Sequence, residues 1–471
     1  MQIVYINPAV YDYLAASLLE GLVDLGHDVV TSQVSPYGRR LDDEPLRAFA
    51  ETADLVIVGS NSGVRSHLVQ DIANPRKVFV DGGDQQDFGV TNNIRFKAVF
   101  KRELNRRFHD AAKQFVFPLP FAAEKRYLSD EVVGKDLAVS FLANMHTNPW
   151  RHSIHQRLQN LKLPGVVSGT TNERAYSASQ PKSAATETPL YRQLLRRSRI
   201  SVSVAGAGYD TARFWEILAA RAMLMTQDLD IVIPHGFTDG HDCVTFRSLE
   251  EFDEKLVFYM NRPDLVAQIA ERGHQRLVAH HTSTARAAQF LEVVAAHIER
   301  PGYCAQFLHP EIRAIEDVCV GRGLDVGCGS SKTTPECIGV DITPPFTSGS
   351  VGCEAGRMSV ANVVTSGDDL TMFADGSLDF VVARHNLEHY HDPVRTLREW
   401  KRVLRPGGRI GVVVPDHDKV DTYALDPTHY CHFTRDSLAQ LAQQVGELQV
   451  RKLDVCVPNW SLVGIFEKAA A

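Results

Sequence analysis

In the last third of the chain, Gly323-Leu324-Asp325-Val326-Gly327-Cys328-Gly329 has the residue types of a ligand cradle. A short apolar run meets glycines two apart, with an acid two before the first of them. Glycine carries no side chain and tolerates positive φ, so Gly327 and Gly329 let backbone come close to a ligand. Ile338-Gly339-Val340-Asp341 then reads as a second strand ending in an acid. An acid at that place can accept hydrogen bonds from both ribose hydroxyls of a nucleotide-type cofactor. The third glycine of the dinucleotide fingerprint is absent.

Earlier in the chain, Gly206-Ala207-Gly208-Tyr209-Asp210 opens a predicted helix bearing Arg213 and Glu216. These two share a helix face. Glu216 can bind a ribose and Arg213 a phosphate, or the two can simply form a surface ion pair. The polar loop beginning at Asn144 precedes a predicted helix containing Arg151, where amides at a helix start can meet phosphates. Asp81-Gly82-Gly83-Asp84 follows the strand Lys77 to Val80. Either acid can take a proton from a hydroxyl, or both can cap a turn. Asp84 is the favoured base because it stands further out. His385 and His389 are four apart and could share a helix face, with His429 and His432 later on. Histidines in such number can hold a metal or supply a base, but packing and hydrogen bonding is the favoured reading of His385 and His389. In the second lobe, Asp228-Leu229-Asp230 is the one Asp-x-Asp at a strand end that argues for a metal. No metal is expected. Val99-Phe100-Lys101-Arg102-Glu103 begins a basic segment that is expected on a solvated surface.

The elements that must position these residues alternate strand and helix. Residues 1–8 read as a strand, Tyr11 to Leu25 as a helix and Asp28 to Thr31 as a strand, a β-α-β start that predicts a parallel sheet. The loop after the first strand, Asn7-Pro8-Ala9, is no phosphate cradle. Asp54 to Gly59 is a further strand, leading into the polar loop Ser60-Asn61-Ser62-Gly63. Leu137 to Leu142 and Ile200 to Val204 are strands of a second lobe. Residues 170–188, rich in Ser, Thr and Ala, read as a surface loop. Pro301-Gly302 marks a boundary. Beyond it, a strand from Asp379 leads to His385, a helix runs from Pro393 to Val403, and Pro406-Gly407-Gly408 turns into a strand from Ile410 to Val414.

At 471 residues the chain suits two or three domains. With 44% hydrophobic and 23% charged residues it is no disordered chain. The net charge of −7 gives no bulk attraction to nucleic acid. No apolar run reaches transmembrane length, and the N-terminus reads as a strand rather than a leader, so a cytoplasmic protein is expected. Its 8 cysteines contain no Cys-x-x-Cys pair and are expected reduced.

The ordered series Gly323–Ser331, Asp341, Gly367-Asp368-Asp369-Leu370, Asp379–Tyr390 and Leu404–Arg409 resembles class I S-adenosylmethionine-dependent methyltransferases of the small type 11 group, over residues 304–471. The resemblance implies S-adenosyl-L-methionine as cofactor. It places Asp325, Gly327, Cys328 and Gly329 at the methionine end, Asp341 on the ribose, Asp368, Asp369 and Leu370 at the adenine, and His385 and His389 beside the cofactor.

The glycine loop with Arg213-x-x-Glu216, then Ser248–Phe252 and Asn261-Arg262-Pro263, resembles GT-B glycosyltransferases of the spore-coat-type and exostosin-like groups, over roughly residues 1–300. It implies a nucleotide-diphosphate sugar as donor, held by Gly206, Gly208, Tyr209, Asp210, Arg213, Glu216, Asn144 and Arg151, and a glycan acceptor. Many retaining members carry two glutamates eight apart, and here the first position is Gly208, which leaves inversion or retention open. The expected fold is α/β: two Rossmann-like lobes, 1–130 and 131–300, followed by a Rossmann-like methyltransferase domain, 304–471. The expected function is sugar transfer coupled to glycan methylation. The alternative is an active methyltransferase beside a degenerate glycosyltransferase fold that only binds glycan or a partner.

Overall fold

The computed structural model describes residues 1–7, 11–60, 72–84, 94–109, 115–128, 133–170, 189–304, 308–349 and 358–470. Asn61, Ser62 and Gly63, the serine-rich residues 171–188, and Pro8 and Ala9 lie outside the described residues. The chain divides into two compact units. The first comprises Met1–Val64, Asn74–Gly89 and Phe96–Cys304, and the second Ala305–Ala471 with the short described pieces 72–73 and 94–95.

Among the described residues, the first unit holds two parallel sheets. One is built from β1 (Gln2–Ile6), β2 (Asp28–Thr31), β3 (Arg39–Arg40), β4 (Leu55–Gly59), β5 (Lys77–Asp81), β6 (Ala98–Lys101) and β7 (Val116–Pro118), in the order β3-β2-β1-β4-β5-β6-β7. The other is built from β8 (Leu137–Ala143), β9 (Val166–Thr170), β10 (Ser198–Ser203), β11 (Met223–Gln227) and β12 (Val244–Phe246), in the order β12-β11-β10-β8-β9. Every residue of β4 and β5 is buried. A parallel strand covered on both faces reads as a near-continuous apolar run, which is why Leu55–Gly59 stood out in the sequence. The helix Ser283–His297 belongs to the first sheet's core: its Ala287, Phe290 and Val294 pack with Ile3, Leu18 and Phe100.

The second unit contains β13 (Gly323–Val326), β14 (Ile338–Asp341), β15 (Val363–Val364), β16 (Leu378–Arg384), β17 (Leu404–Pro415), β18 (Leu448–Val457) and β19 (Ser461–Lys468). Their order is β15-β14-β13-β16-β17-β19-β18, parallel through β17, with β19 antiparallel to β17 and β18 antiparallel to β19. The predicted turn at Pro406-Gly407-Gly408 lies inside β17. Pairing with β16 skips from Leu404 to Arg409, so the turn is an irregularity within one strand.

In each sheet the chain builds outward on one side and then returns to the other side of its starting strand. These reversals fall between β1 and β4, between β8 and β10, and between β13 and β16. At such a reversal the loops leaving adjacent strands part, and the crevice beyond the strand ends accepts a ligand. The loops in question begin at Asn7 and Ser60, at Asn144 and Val204, and at Gly327 and His385.

One expectation is corrected here. Lys101, Arg102 and Glu103 do not form a solvated surface: they are 1%, 3% and 0% exposed. Strand β6 lies inside the sheet, so its end is covered, and the charges survive burial by pairing. Lys101 Nζ meets Asp81 Oδ2 at 2.9 Å, and Arg102 bridges Asp84 and Glu103.

Candidate functional sites

At the β8–β10 crevice, the predicted residues separate into those already spent and those with bonds to give. Arg151 on the helix Pro149–Asn160 is buried. It donates Nε to Ala205 O at 2.9 Å, and Nη1 to Asn144 O at 2.9 Å and Thr147 Oγ1 at 2.7 Å. It therefore ties together the loops that leave β8 and β10, and it is a positioning residue rather than the nucleotide contact expected. Asn144 takes part through its carbonyl, while its side chain caps the following turn at His146 N.

Arg213 behaves differently. It lies on the helix Ala212–Ala219 and donates Nε to Leu142 O at 2.5 Å. Its Nη1 is buried with no partner among the described residues. An unpaired buried donor is costly unless a ligand oxygen satisfies it. No ion pair joins Arg213 to Glu216 among the described residues. Glu216 accepts from Tyr13 Oη at 2.9 Å and Tyr191 Oη at 2.5 Å, and burial pushes its carboxyl up against the pull of those hydroxyls. Glu216 also lines a cavity of about 200 Å³ with Arg126, Tyr127 and Arg192.

The glycine loop is gripped from the first sheet. Glu103 accepts Tyr209 N at 3.0 Å and Asp210 N at 2.9 Å. A Cβ at Gly208 would collide with Glu103 Oε1, so only glycine admits this clamp. Burial raises the Glu103 carboxyl to about 7 against the opposing charge of Arg102. Asp210, expected to touch the nucleotide, is instead structural. It is buried and accepts Trp215 Nε1 at 2.8 Å and Phe121 N at 2.6 Å. Arg102 and Glu103 were missed by sequence reasoning. Their only signal was a charged triplet directly behind an apolar strand.

Of the two proposed bases, Asp81 is withdrawn. It is buried, bonded to Lys101 through Oδ2 and to Gly83 N through Oδ1 at 3.0 Å. Asp84 has a side chain 54% exposed and pairs with Arg102 beside Gly208. Asp228 pairs with Arg247 at 3.0 Å, and Asp230 accepts from Asn105 at 2.9 Å.

In the second unit, the β13–β16 crevice is built around Asp341. Its Oδ2 accepts Gly329 N at 2.9 Å and its Oδ1 accepts Thr343 N at 2.8 Å. An ionised carboxylate has about four acceptor sites, so two are left for a pair of ribose hydroxyls. Gly327 has φ of 67°, and a Cβ there would strike Asn386, which fixes the turn. Asp325 is buried and accepts Thr333 N; burial raises its carboxyl while Arg384 opposes the shift. Cys328 is buried. Asp368 is half-buried and bonded by Ser366 Oγ at 2.5 Å, whereas Asp369 is exposed and holds Thr371. Leu370 is corrected: its side chain is core, and its amide is spent on Glu399 Oε1 at 3.1 Å.

His385 and His389 do not share a helix face. The backbone turns left-handed at His385, φ 48°, and a short 3-10 turn follows at Leu387–His389. His385 Nε2 meets Glu311 Oε1 at 3.0 Å and its Nδ1 lies 3.6 Å from Glu388. Burial alone would lower its pKa, but these carboxylates raise it to about 9. Both ring nitrogens face carboxylates, which favours the protonated ring and leaves no lone pair for a substrate, so His385 is withdrawn as a general base. His389 points its Nδ1 at Thr428. His432 pairs with Tyr423 Oη at 2.8 Å, outside this group.

Comparison with known families matches residues 150–292 to a glycosyl transferase-like family and residues 324–412 to a methyltransferase domain family. The chain carries a glycosyl transferase-like domain and a methyltransferase domain. The glycosyl transferase-like match contains Arg151, Gly206, Gly208, Arg213 and Glu216; the methyltransferase match contains Asp325 through His389. Asp84, Glu103 and His429 lie outside both matches. A protein of Methanocaldococcus jannaschii is 32% identical over 112 residues, 23% of this chain and 52% of that one. A ubiquinone biosynthesis O-methyltransferase of Xanthomonas oryzae pv. oryzae is 32% identical over 104 residues, 20% of this chain and 43% of the enzyme. The chain thus spans about half or less of these curated relatives. A crystal structure of Anabaena HepE in complex with UDP is similar at 10% identity and a TM-score of 0.45, covering 63% of this chain and 100% of that one.

Proposed function

We propose that this chain is a bifunctional carbohydrate enzyme. Its first unit transfers a sugar from a nucleotide-diphosphate sugar, and its second methylates a hydroxyl or carboxyl of the glycan. One observation carries the reading. A single chain presents two crevices with unspent polar groups, the Arg213 Nη1 donor in one and the open lone pairs of Asp341 in the other. In this reading residues 1–130 and 131–300 are the acceptor and donor lobes, and 304–471 is the methyltransferase.

Arg213 donates to a diphosphate oxygen, and the charge it supplies there stabilises the departing nucleotide. Arg151 and Glu103 hold the glycine loop in place around that oxygen. Asp84 takes the proton of the acceptor hydroxyl if the transfer inverts. In the second unit Asp341 holds the ribose and Asp325 holds the loop that turns at Gly327. S-adenosyl-L-methionine, when bound, supplies a sulfonium methyl group open to in-line attack. The chain's contribution is to fix cofactor and nucleophile in line, where proximity accounts for most of the rate.

The second reading, a glycosyltransferase fold that binds without turnover, has one observation in its favour. Glu216 is buried and each of its oxygens already accepts from a tyrosine hydroxyl, so a ribose must share those oxygens with Tyr13 and Tyr191. The test uses the full chain with methyl-labelled S-adenosyl-L-methionine, a panel of nucleotide-diphosphate sugars and an oligosaccharide acceptor, read by mass spectrometry. A glycosylated, methylated product is expected. Methylation of a pre-formed glycan without sugar transfer establishes the second reading. Failure to bind uridine, guanosine or thymidine diphosphate at millimolar concentration ends the transferase proposal.

A further inference from the structure

Glu388 is an anomaly in the second unit. It is 0% exposed, and neither carboxylate oxygen has a hydrogen-bond partner among the described residues. The nearest charged group described, His385 Nδ1, is 3.6 Å away, beyond hydrogen-bond range. His385 lies beside Glu388 but gives its oxygens no hydrogen bond, and a buried carboxylate whose oxygens lack donors is expensive.

Two histidines converge on it. One ligand-capable atom each of Glu388, His389 and His429 lies within 4.8 Å of the others. The two imidazole rings are 4.7 Å apart, edge to face. Each histidine is oriented by a backbone carbonyl. His389 Nδ1 is 3.1 Å from Thr428 O, and His429 Nδ1 is 2.6 Å from Thr422 O. A carbonyl only accepts, so each Nδ1 carries the proton and each Nε2 keeps its lone pair. That is the arrangement by which metal-ligating histidines are fixed. The carbonyl of Glu388 further binds Tyr430 N at 2.9 Å and Cys431 N at 3.2 Å, so the turn after β16 and the loop carrying His429 are laced together.

We propose that Glu388, His389 and His429 bind a divalent first-row transition ion. Two imidazoles and one carboxylate suit zinc, iron(II), cobalt(II) or nickel rather than magnesium or calcium, which prefer oxygen ligands. Ligands on a tetrahedral ion with bonds of about 2.0–2.1 Å stand about 3.4 Å apart, so modest side-chain adjustment closes the site. Three protein ligands leave a fourth position for an oxygen. The ion gives the oxygens of Glu388 the partner they lack and pins the His429 loop to the turn after β16. This inference does not depend on the identity of the methyl acceptor.

The test is cobalt(II) titration of the full chain after chelator treatment, followed by visible d–d absorption and by native mass spectrometry for stoichiometry. The expected result is one ion per chain with the intense bands of four- or five-coordinate cobalt. His389→Ala and His429→Ala should each weaken binding by about 10-fold or more, since even the outer partners of metal ligands are worth that much. His432→Ala, in the same loop but bonded to Tyr423, should bind as wild type. If His429→Ala fails to fold, His429→Gln replaces it. The proposal is overturned if wild-type protein takes up no ion at micromolar cobalt, or if the His389 and His429 variants bind like wild type.

Discussion

Asp341 gives the sharpest test of the cofactor crevice, because its acceptor sites are accounted for. Two are occupied by Gly329 N and Thr343 N, and two are assigned to ribose hydroxyls. Asp341→Ala removes all four. The two backbone bonds go to this charged acceptor, worth about 1.5–3 kcal/mol each when shielded from water; water can replace part of that at a half-buried group, so the unliganded protein should lose about 1–3 kcal/mol of stability and melt lower. The ribose bonds go to a charged acceptor, worth about 1.5–3 kcal/mol each. Asp341 is only half-buried, and water replaces part of what is lost, so about 1–3 kcal/mol of cofactor affinity should go, roughly 5- to 150-fold. Calorimetry of S-adenosyl-L-methionine binding measures the sum. A loosened loop would weaken binding too, so a cycle with a 2′-deoxy cofactor analogue isolates the ribose contribution. In wild type the missing hydroxyl should cost affinity; in Asp341→Ala it should cost almost nothing. Additive losses would show that Asp341 and the ribose do not interact, and the crevice assignment would fall whatever the size of the single effect.

Arg213→Ala should abolish nucleotide-sugar binding while leaving methylation of a pre-formed glycan intact, because its buried Nη1 awaits an oxygen; unchanged nucleotide affinity would place the diphosphate elsewhere. Asp84→Asn should keep donor affinity and lower sugar transfer by a factor on the order of 10²–10⁴. Asp81→Ala should act on stability, leaving Lys101 buried and unpaired at a cost of about 3–5 kcal/mol; equal kinetic defects in both variants would erase the distinction drawn between them. Glu103 supplies a pH test. Its carboxyl is raised from 4.5 to about 7 in the folded protein, so its contribution is fully present below pH 4.5 and is lost as pH rises through about 7. Glu103→Gln does not ionise, so its melting temperature relative to wild type should climb between those limits; a flat difference would mean that folding does not shift Glu103, and a falling one that folding lowers it.

The fold was legible wherever the signal was local. Buried parallel strands announce themselves as apolar runs, and Leu55–Gly59 and Phe380–Ala383 are such runs. Two of the three strand-order reversals were visible as loops of the right kind, because Gly206-Ala207-Gly208 and Gly327-Cys328-Gly329 carry their geometry in residue type. The burial of Lys101, Arg102 and Glu103 was not legible. Nothing near them in sequence distinguishes a covered strand end from an exposed one, and Asp84 and Asp210 reach them only through the fold. The convergence of His389 with His429 depends likewise on Tyr430 N and Cys431 N bonding to Glu388 O. The sequence offered four histidines, and the structure keeps two and adds an acid.

The residues that misled share a physical cause. A charged side chain at a glycine loop looks the same in sequence whether it binds a ligand or holds the loop. What separates the two is how much of its hydrogen-bonding capacity the protein has already used. Arg151 spends its guanidinium on the loops of β8 and β10, and Asp210 spends both oxygens on Trp215 and Phe121. Both are buried among these partners and are better understood as fixing the crevice walls. Arg213, Asp341 and Glu388 are the opposite case, each with capacity left over in a place where water cannot freely supply it or a ribose can. A buried polar group costs stability until it is answered. Capacity left unanswered at a strand-order reversal is therefore a better guide to ligand contact than charge or position, and by that criterion Arg213, whose buried Nη1 has no partner among the described residues, outranks Glu216, each of whose oxygens already accepts a bond.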